Sequence, residues 1–288
     1  MGQKNLVQHK IQAHFHQLSK GQQKVASFVL EQLDYVAMHS ASEVGKRVGV
    51  SETTVIRFCF ALGLTGYGQL QKELTAQLLQ KNESTLGDYL HDKQSLLTQR
   101  RFHEQSISRD AKRLVEVAKQ IDEQQFLIVA AAMHKAKSIY VIGQGSSGMA
   151  AQWLYFTLSL LRPHVKLVNN ESSEILRTLQ EIDNYSLVFV LSFHRYYKEP
   201  LAFAEAVKEQ CQMVVGITDH ILAPITQIVP NNFILQSENT STLDAMPVLI
   251  SFLNTLVAAM TAEDKDYYDK QRIKYDDFNG SFISNRWS

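Results

Sequence analysis

The glycine-rich stretch GQGSSG is the part of the sequence whose residue types and spacing best suit the binding of an anion. It lies between the apolar run SIYVI and a helical pattern, which predicts a turn between a strand and a helix. Gly143 and Gly145 let the main chain come close to a ligand, and the first turn of a helix offers free N–H groups. The hydroxyls of Ser146 and Ser147 add donors. We therefore predict that this turn binds a phosphate or a similar anion.

A second polar turn follows the apolar run SLVFVLS. Ser192 ends that run, and Arg195 and Lys198 bring positive charge to the turn. Loops at the carboxyl ends of neighbouring parallel strands meet in one crevice, and an arginine can bind a phosphate through two parallel hydrogen bonds. We predict that Ser192 and Arg195 share one binding site with Ser146 and Ser147.

The same glycine turn also matches G-x-G-x-x-G, a pattern that binds dinucleotides. A dinucleotide site needs an acidic residue at the end of the next strand to hold the ribose. Asn169 and Asn170 stand at that place, and Glu171 follows too late. We therefore expect a sugar phosphate as the ligand. The alternative is that the chain is a repressor that senses NAD(H) through this turn. We expect no bound cofactor.

A catalytic role has two candidate bases near the predicted loops, His194 and His220. An isomerase or lyase needs a general base beside the reacting sugar carbon, and no pair of residues stands in environments that separate their pKa values. His9, His14 and His16 have no cysteine or acidic partner at metal-ligand spacing. We expect neither a catalytic residue nor a metal site, and we keep a sugar-phosphate isomerase or lyase as the alternative.

The stretch RVGVSETTVIRF, residues 47–58, has the pattern of a helix-turn-helix. Gly45 and Gly49 allow a close helix crossing and a positive φ in the turn, and Ser51 is a typical N-cap. The polar flank of the following helix is the part of a recognition helix that reaches base edges and phosphates. The residues that we expect to contact DNA are Lys46, Arg47, Ser51, Glu52, Thr53, Thr54, Arg57 and Tyr67.

Charge is distributed in a way that supports DNA binding. The whole chain has a formal net charge of +0, but residues 1–80 carry eight lysines and arginines against five acidic residues, a surplus of +3. The rest of the chain is therefore slightly acidic. A local basic patch on a neutral protein is sufficient for contact with a nucleic acid.

The periodicity of apolar residues divides the chain into domains. Residues 1–80 have helical patterns throughout, and residues 81–107 are polar and predict a linker with some helix. Residues 108–262 alternate short apolar runs with helical patterns, which predicts a parallel sheet with right-handed crossovers. Residues 263–288 form a charged and aromatic tail without a clear pattern. The expected fold is therefore two domains, an all-α helix-turn-helix bundle followed by a flavodoxin-like α/β domain.

Composition indicates the compartment. At 288 residues, with 45% hydrophobic and 20% charged residues, the chain has enough apolar material for two soluble domains. Cys59 and Cys211 lie in different predicted domains and lack a C-x-x-C partner, which indicates a reducing compartment. The N-terminus is too polar for a signal peptide, and no 18-residue window is uninterruptedly apolar. We expect a cytoplasmic protein without a membrane partner.

Residues 1–262 resemble the RpiR-type transcriptional regulators, in which a helix-turn-helix domain precedes a sugar isomerase (SIS) domain. The first half of the resemblance rests on SASEVGKRVGVSETTVIRFCFALGLTGYGQLQKEL, and the second on VIGQGSSGMA and VLSFHRYYKEPLAFAEAVKEQCQMVVGITD. The most specific residues of the first half are Arg57, Phe58, Leu62, Gly63, Gly66 and Tyr67.

This resemblance implies a transcription factor that binds a double-stranded DNA operator and senses a phosphosugar or sugar acid. It implies that Ser147 binds phosphate and that Ser192 matches the first serine of a second-loop pattern, S-x-S-G-x-T. In this chain His194, Arg195 and Tyr197 replace the second serine, the glycine and the threonine of that pattern. Since helix-turn-helix proteins pair to match two DNA half-sites, we expect a homodimer or homotetramer that is held together by the SIS domain.

Overall fold

The computed structural model of the chain describes residues 7, 10–11, 14–80, 85–97, 100–169, 172–237 and 243–282. The chain divides into two units, Met1–Glu83 and Ser84–Ser288. The segment predicted as a linker, residues 81–107, lies at this division and contains one complete helix and the start of another.

The described residues of the first unit are helical, as the sequence predicts. After a 3₁₀ turn at Phe15–Gln17, its helices are α1 (Lys20–Glu31), α2 (Leu33–Met38), α3 (Ala41–Val48), α4 (Glu52–Ala61) and α5 (Tyr67–Gln80). The amphipathic pattern of residues 22–39 does not form one helix. It is interrupted at Gln32, whose φ of −133° and ψ of 53° are not helical.

Serine side chains begin three of these helices. Ser19 and Ser40 each form a capping box with the residue three positions further on, Gln22 and Glu43 respectively. Ser51 accepts a hydrogen bond from the third main-chain N–H of α4. The cap at Ser51 confirms the sequence prediction.

The core of the first unit holds α4 in place. Helix α4 packs against α1 and α3, and α5 packs against α2. Val25 of α1, Val44 of α3, Val55 and Phe58 of α4 and Leu70 of α5 are completely buried. Burying these side chains fixes the orientation of α4, because its apolar face has a single set of partners.

The second unit begins with three helices and continues with a parallel sheet. The helices are α6 (Thr85–Leu97), α7 (Phe102–Ala118) and α8 (Glu123–Lys135). The strands are β1 (Ser138–Gly143), β2 (Val165–Leu167), β3 (Ser186–Leu191), β4 (Met213–Thr218) and β5 (Asn231–Ile234). The predicted parallel sheet is confirmed, with the order β2-β1-β3-β4-β5.

Helices cover both faces of this sheet. They are α9 (Ser146–Leu161), α10 (Ser172–Glu181), α11 (Lys198–Val207), α12 (Pro224–Ile228), α13 (Met246–Ala262) and α14 (Lys265–Phe282). Side chains of α8, α9 and α13 form the core on one face, and those of α10, α11 and α12 form it on the other. The tail without a clear sequence pattern therefore contains a helix, α14.

No single described helix is long and apolar enough to cross a membrane. The segments Met246–Ala262 and Lys265–Asp276 reach the required length and apolar composition only when they are taken together, and the angle between them is 110°.

Candidate DNA-binding surface and anion site

The turn between α3 and α4 depends on two glycines. Gly49 ends α3 with a left-handed φ of 76°. Gly45 is buried where the helices cross, and a Cβ atom added to it would lie 2.9 Å from the carbonyl oxygen of Val50. A side chain at position 45 would therefore push the turn away from α3. Both glycines have the roles that the sequence predicts.

The buried face of α4 leaves a polar flank exposed. Val55, Phe58 and Cys59 are buried, and this burial raises the pKa of the Cys59 thiol to about 12. The exposed residues from the end of α3 and the beginning of α4 define what we call the DNA face. The DNA face consists of Lys46, Arg47, Ser51, Glu52, Thr53 and Arg57.

Thr54, one of the predicted DNA contacts, is half-buried inside the domain. Its hydroxyl lies 2.9 Å from that of Ser51, and a Cβ atom added to Gly21 would lie 3.1 Å from its methyl carbon. Thr54 therefore positions α4 against α1, and we do not include it in the DNA face.

Tyr67, another predicted DNA contact, uses its hydroxyl inside the domain. The hydroxyl donates to the carbonyl oxygens of Val36 and His39 at 2.9 and 2.8 Å. Burial raises the pKa of Tyr67 well above its ordinary value, so the hydroxyl remains a donor. Tyr67 therefore joins α5 to the end of α2, and it too is left out of the DNA face.

An aromatic stack lies beside the DNA face, and the sequence did not point to it. The guanidinium of Arg47 lies 5.5 Å from the ring centroid of Tyr35, and that ring stacks on His39 at 3.8 Å. A cation over an aromatic face is held by electrostatic attraction. The i, i+4 spacing of Tyr35 and His39 was the only sequence signal of this stack.

The two predicted ligand loops meet at one edge of the sheet. Strands β1 and β3 are direct neighbours, with Gly143 opposite Leu191 at their carboxyl ends. The chain turns from β1 into α9 and from β3 towards α11 at this edge. We call the predicted ligand residues at this edge the anion site. The anion site consists of Gly143, Gly145, Ser146, Ser147, Ser192, His194, Arg195 and Tyr197.

The glycines of the first loop have no room for side chains. Gly145 precedes α9 with φ 62° and ψ −131°, and an added Cβ would lie 2.9 Å from a ring carbon of Tyr197. An added Cβ at Gly143 would lie 2.6 Å from the carbonyl oxygen of Ser147. The structure thus brings Tyr197 of the second loop onto the first loop. Ser146 is half-buried and is the first residue of α9, where main-chain N–H groups are free.

Ser147 links the two loops directly. It is 4% exposed, and its hydroxyl oxygen accepts a hydrogen bond from the main-chain N–H of Phe193 at 3.2 Å. A serine hydroxyl that accepts in this way still has its own proton to donate. The buried side-chain oxygens of Ser192 and Gln144 have no hydrogen-bond partner among the described residues. Buried polar atoms are normally paired, so this edge of the sheet offers polar groups that a ligand can use.

Asp219 was missed by the sequence reasoning, although it organises the second loop. It follows β4, the neighbour of β3, and accepts hydrogen bonds from the N–H of His194 at 2.9 Å and from the hydroxyl of Tyr196 at 3.0 Å. Arg195 lies between these two residues with an exposed side chain and a φ of 80°. The position of Asp219 directly after an apolar run, QMVVGIT, was the signal that could have identified it.

The remaining sequence candidates are placed as follows. The imidazole of His194 is half-buried, with its ring 5.9 Å from that of Tyr196. The Nδ1 atom of His220 accepts a hydrogen bond from the N–H of Leu222 at 3.1 Å, so His220 supports a turn. Asn169 is exposed, whereas Asn170 and Glu171, which bear on dinucleotide binding, lie outside the described residues.

A cavity of about 410 Å³ lies in the second unit away from the anion site. Its walls come from α7, α8 and α13, and they are mainly apolar. Its polar lining residues are Glu123, Ser251 and Thr255. Among the residues that the structure describes, no lysine or arginine lines this cavity, so its chemistry does not suit an anionic ligand.

Comparison with known proteins assigns a family to each unit. Residues 5–81 match the helix-turn-helix domain of the rpiR family, and residues 132–262 match the SIS domain. An HTH-type transcriptional regulator of Haemophilus influenzae is 25% identical over 230 residues, which cover 79% of this chain and 78% of that protein.

Solved structures share the fold. The Vibrio vulnificus NanR protein complexed with ManNAc-6P is 17% identical with a TM-score of 0.61, covering 96% of this chain and 99% of that one. The sugar isomerase domain of an RpiR transcription factor from Sphaerobacter thermophilus is 18% identical with a TM-score of 0.56, covering 62% of this chain and 99% of that one. With a helix-turn-helix domain of the rpiR family joined to a SIS domain, this chain belongs to the RpiR-type transcriptional regulators.

Proposed function

We propose that this regulator binds a double-stranded DNA operator through the DNA face and senses a phosphosugar, or a related anionic carbohydrate metabolite, at the anion site. The observation that carries the sensing role is the position of Ser147. It lies in the first turn of α9, accepts from Phe193 and keeps a proton for a ligand oxygen. Such a group beside a helix N-terminus favours an anion.

The DNA role is supported by the exposure and chemistry of α4. Arg57 can bind guanine or a phosphate, and Ser51 and Thr53 can bind phosphates from the N-terminal part of the helix. Glu52 can accept a hydrogen bond from the amino group of cytosine. Lys46 and Arg47 add positive charge at the end of α3.

The choice of a phosphosugar is supported by a protein of the same fold. The Vibrio vulnificus NanR protein is complexed with ManNAc-6P. Arg195, in the second loop, supplies the positive charge that a phosphate or carboxylate requires. A sugar acid is also negatively charged and remains a candidate within this proposal.

We propose sensing rather than catalysis. Of the two candidate bases, His220 accepts a hydrogen bond within a turn and His194 has its main chain held by Asp219. We further propose that copies of the chain associate, so that two α4 helices meet two DNA half-sites. The associated chains can place their two α4 helices at a spacing that fits the DNA half-sites or at one that does not. Ligand binding then changes the affinity for DNA if these two arrangements bind the ligand with different affinities.

DNA binding is tested with fluorescence anisotropy on fragments of the upstream region of the gene, at several salt concentrations. Arg57→Ala should weaken binding about 10-fold or more. Lys72→Ala is the matched control, because it removes one exposed positive charge from α5. Wild-type protein that binds no fragment at any salt concentration would show that the DNA role is wrong.

Effector binding is tested with a thermal-shift panel. The panel contains ManNAc-6P, ManNAc, other phosphosugars, sugar acids and NADH. We expect a rise in melting temperature with phosphorylated or acidic sugars and none with the neutral sugar. A rise in melting temperature with NADH and with no other compound would mean that the effector is a dinucleotide and not a phosphosugar.

A further inference from the structure

The second loop of the anion site contains two consecutive non-glycine residues with positive φ. Arg195 has a φ of 80° and Tyr196 a φ of 26°. This region of backbone conformation is accessible to glycine without cost, but side chains with a Cβ atom adopt it only when the surroundings hold them there. The surroundings of this loop must therefore contain a group that stabilises it.

Asp219 is that group. One carboxylate oxygen accepts from the N–H of His194, before the strained pair, and the other accepts from the hydroxyl of Tyr196, within it. The two hydrogen bonds thus bracket Arg195 on both sides. Charge-assisted hydrogen bonds of this kind are stronger than those between neutral groups.

The loop is also anchored at its start. The hydroxyl of Thr218 donates to the carbonyl oxygen of Ser192 at 2.6 Å, and the N–H of Tyr196 donates to the carbonyl oxygen of Phe193 at 2.9 Å.

Burial and the neighbouring Asp219 carboxylate raise the pKa of Tyr196 well above its ordinary value, so its hydroxyl stays protonated and donates at every pH of interest.

We propose that Asp219 is a positioning residue for the effector: its carboxylate holds Arg195 in the left-handed conformation in which the guanidinium serves the anion site. This inference rests on the proposed sensing function. Asp219 need not touch the ligand, because it acts through the main chain of His194 and the hydroxyl of Tyr196. Without it, the loop relaxes and only a fraction of the molecules is ready to bind, which weakens the apparent affinity by that fraction.

The direction of the effect separates this role from a simple charge effect. Asp219 carries a negative charge close to a site for anions. If it acted only through its charge, Asp219→Asn would tighten the binding of ManNAc-6P. A positioning role predicts the opposite, because the two donors bind different carboxylate oxygens and the NH2 group that replaces one of these oxygens cannot accept a hydrogen bond.

The first measurement is the affinity for ManNAc-6P, by isothermal titration calorimetry on the full chain. Asp219→Asn should weaken binding about 10-fold, and Arg195→Ala about 30-fold. In the Arg195→Ala background, Asp219→Asn should change the affinity less than about 2-fold, since the residue it positions is gone. Tyr196→Phe should give part of the Asp219→Asn effect.

The matched control is Asp183→Asn. Asp183 accepts hydrogen bonds from the N–H of Tyr185 and the hydroxyl of Ser186, at the opposite end of β3 from the anion site. Asp183→Asn therefore removes the same kind of hydrogen bond but leaves the second loop unchanged. Asp183→Asn should leave the affinity for ManNAc-6P unchanged.

The second measurement is thermal unfolding without ligand. Arg195→Gly should raise the melting temperature of the wild-type SIS domain by about 2 °C, because glycine removes the backbone strain. The gain should be smaller in the Asp219→Asn background, where the loop has already relaxed.

Three outcomes would overturn the proposal in distinguishable ways. Unchanged or tighter binding by Asp219→Asn, with a wild type that binds, rejects the positioning role and leaves the sensing function intact. An equal gain from Arg195→Gly in both backgrounds shows that Asp219 does not hold the loop. No binding of any phosphosugar or sugar acid by the wild type rejects the sensing function itself, and the inference with it.

Discussion

The hydroxyl of Ser147, in the first turn of α9, accepts a hydrogen bond from the main-chain N–H of Phe193, in the loop after β3. This bond joins two loops that are 46 residues apart in the sequence. Ser147 therefore holds the second loop in place with its oxygen, and in the function that we propose its proton is the one donated to a ligand.

Ser147→Ala should consequently damage both stability and ligand binding. The buried N–H of Phe193 loses its acceptor, at a cost of about 1–3 kcal/mol in the free energy of unfolding. Binding of ManNAc-6P should fall about 10-fold or more. Urea unfolding and calorimetry measure the two effects. Ser159→Ala, on the exposed face of α9, is the control that should change neither by a measurable amount.

Gly145→Ala should destabilise the second unit by about 2 kcal/mol, measured by urea unfolding. The positive φ of Gly145 strains any other residue, and the added methyl meets the ring of Tyr197. Adding Tyr197→Ala removes the steric contact but leaves the backbone strain, so the double variant should recover only part of the loss. Complete recovery would mean that the backbone at position 145 is not strained.

Gly45→Ala should destabilise the first unit by about 1–3 kcal/mol and weaken DNA binding. Its methyl would lie 2.9 Å from the carbonyl oxygen of Val50 and 3.2 Å from the N–H nitrogen of Glu52, so the turn before α4 has to move. Gly68→Ala is the matched control, because Gly68 lies in α5 with open space around its Cα. That substitution should raise stability by about 0.5 kcal/mol. Equal effects of the two substitutions would contradict the tight crossing of α3 and α4.

The capping box of α3 predicts a dependence on pH. The hydroxyl and N–H of Ser40 both donate to Glu43, which lowers the pKa of its carboxyl below the ordinary value of 4.5. The ionised Glu43 therefore stabilises the folded state above about pH 4.5, and this contribution is lost as the pH falls through the lowered pKa. Melting curves from pH 3 to pH 7 should show it as a difference between wild type and Glu43→Gln. The difference should shrink at the acidic end, and a constant difference would argue against the box.

Cys59 should be unreactive in the folded protein. Burial raises the pKa of its thiol to about 12, and the thiolate is the reactive form. Labelling with iodoacetamide at pH 8, followed by peptide mass spectrometry, should modify Cys59 only after addition of urea. Cys59→Ser identifies the peptide. Labelling of the folded chain at the rate of a free thiol would show that the core around α4 opens readily.

The architecture was predictable because its signals are local. All six residues of β3 are buried, and its sequence is a continuous apolar run of the kind that parallel strands require. The turn from α3 to α4 was predictable from Gly45, Gly49 and Ser51, since each is needed for a specific backbone reason. A helix-turn-helix pattern followed by the pattern of a parallel sheet is the order in which the two family models match the chain.

Other elements had no such signal. The break at Gln32 contains neither glycine nor proline, so periodicity predicts a continuous helix there. Helix α14 is strongly polar, and among its described side chains Tyr267 and Tyr268 are those that pack against the core. In both places tertiary packing decides the conformation, and a single sequence does not contain that information.

The site was predictable only in part for the same reason. Gly145 and Ser147 belong to a recognisable turn, but Thr54 and Tyr67 were predicted to contact DNA, although Thr54 packs against Gly21 and the hydroxyl of Tyr67 donates to Val36 and His39. These partners are distant in the sequence, which hides them from motif reasoning. Asp219 was overlooked because it follows a different strand, β4, and carries no motif of its own.

The two outer strands of the sheet are short. β2 has three residues and β5 has four. An outer strand with unpaired N–H and C=O groups is a template for pairing with another chain, and short outer strands give little to pair with. Filament growth by the addition of strands from other copies is therefore disfavoured at both edges of the sheet.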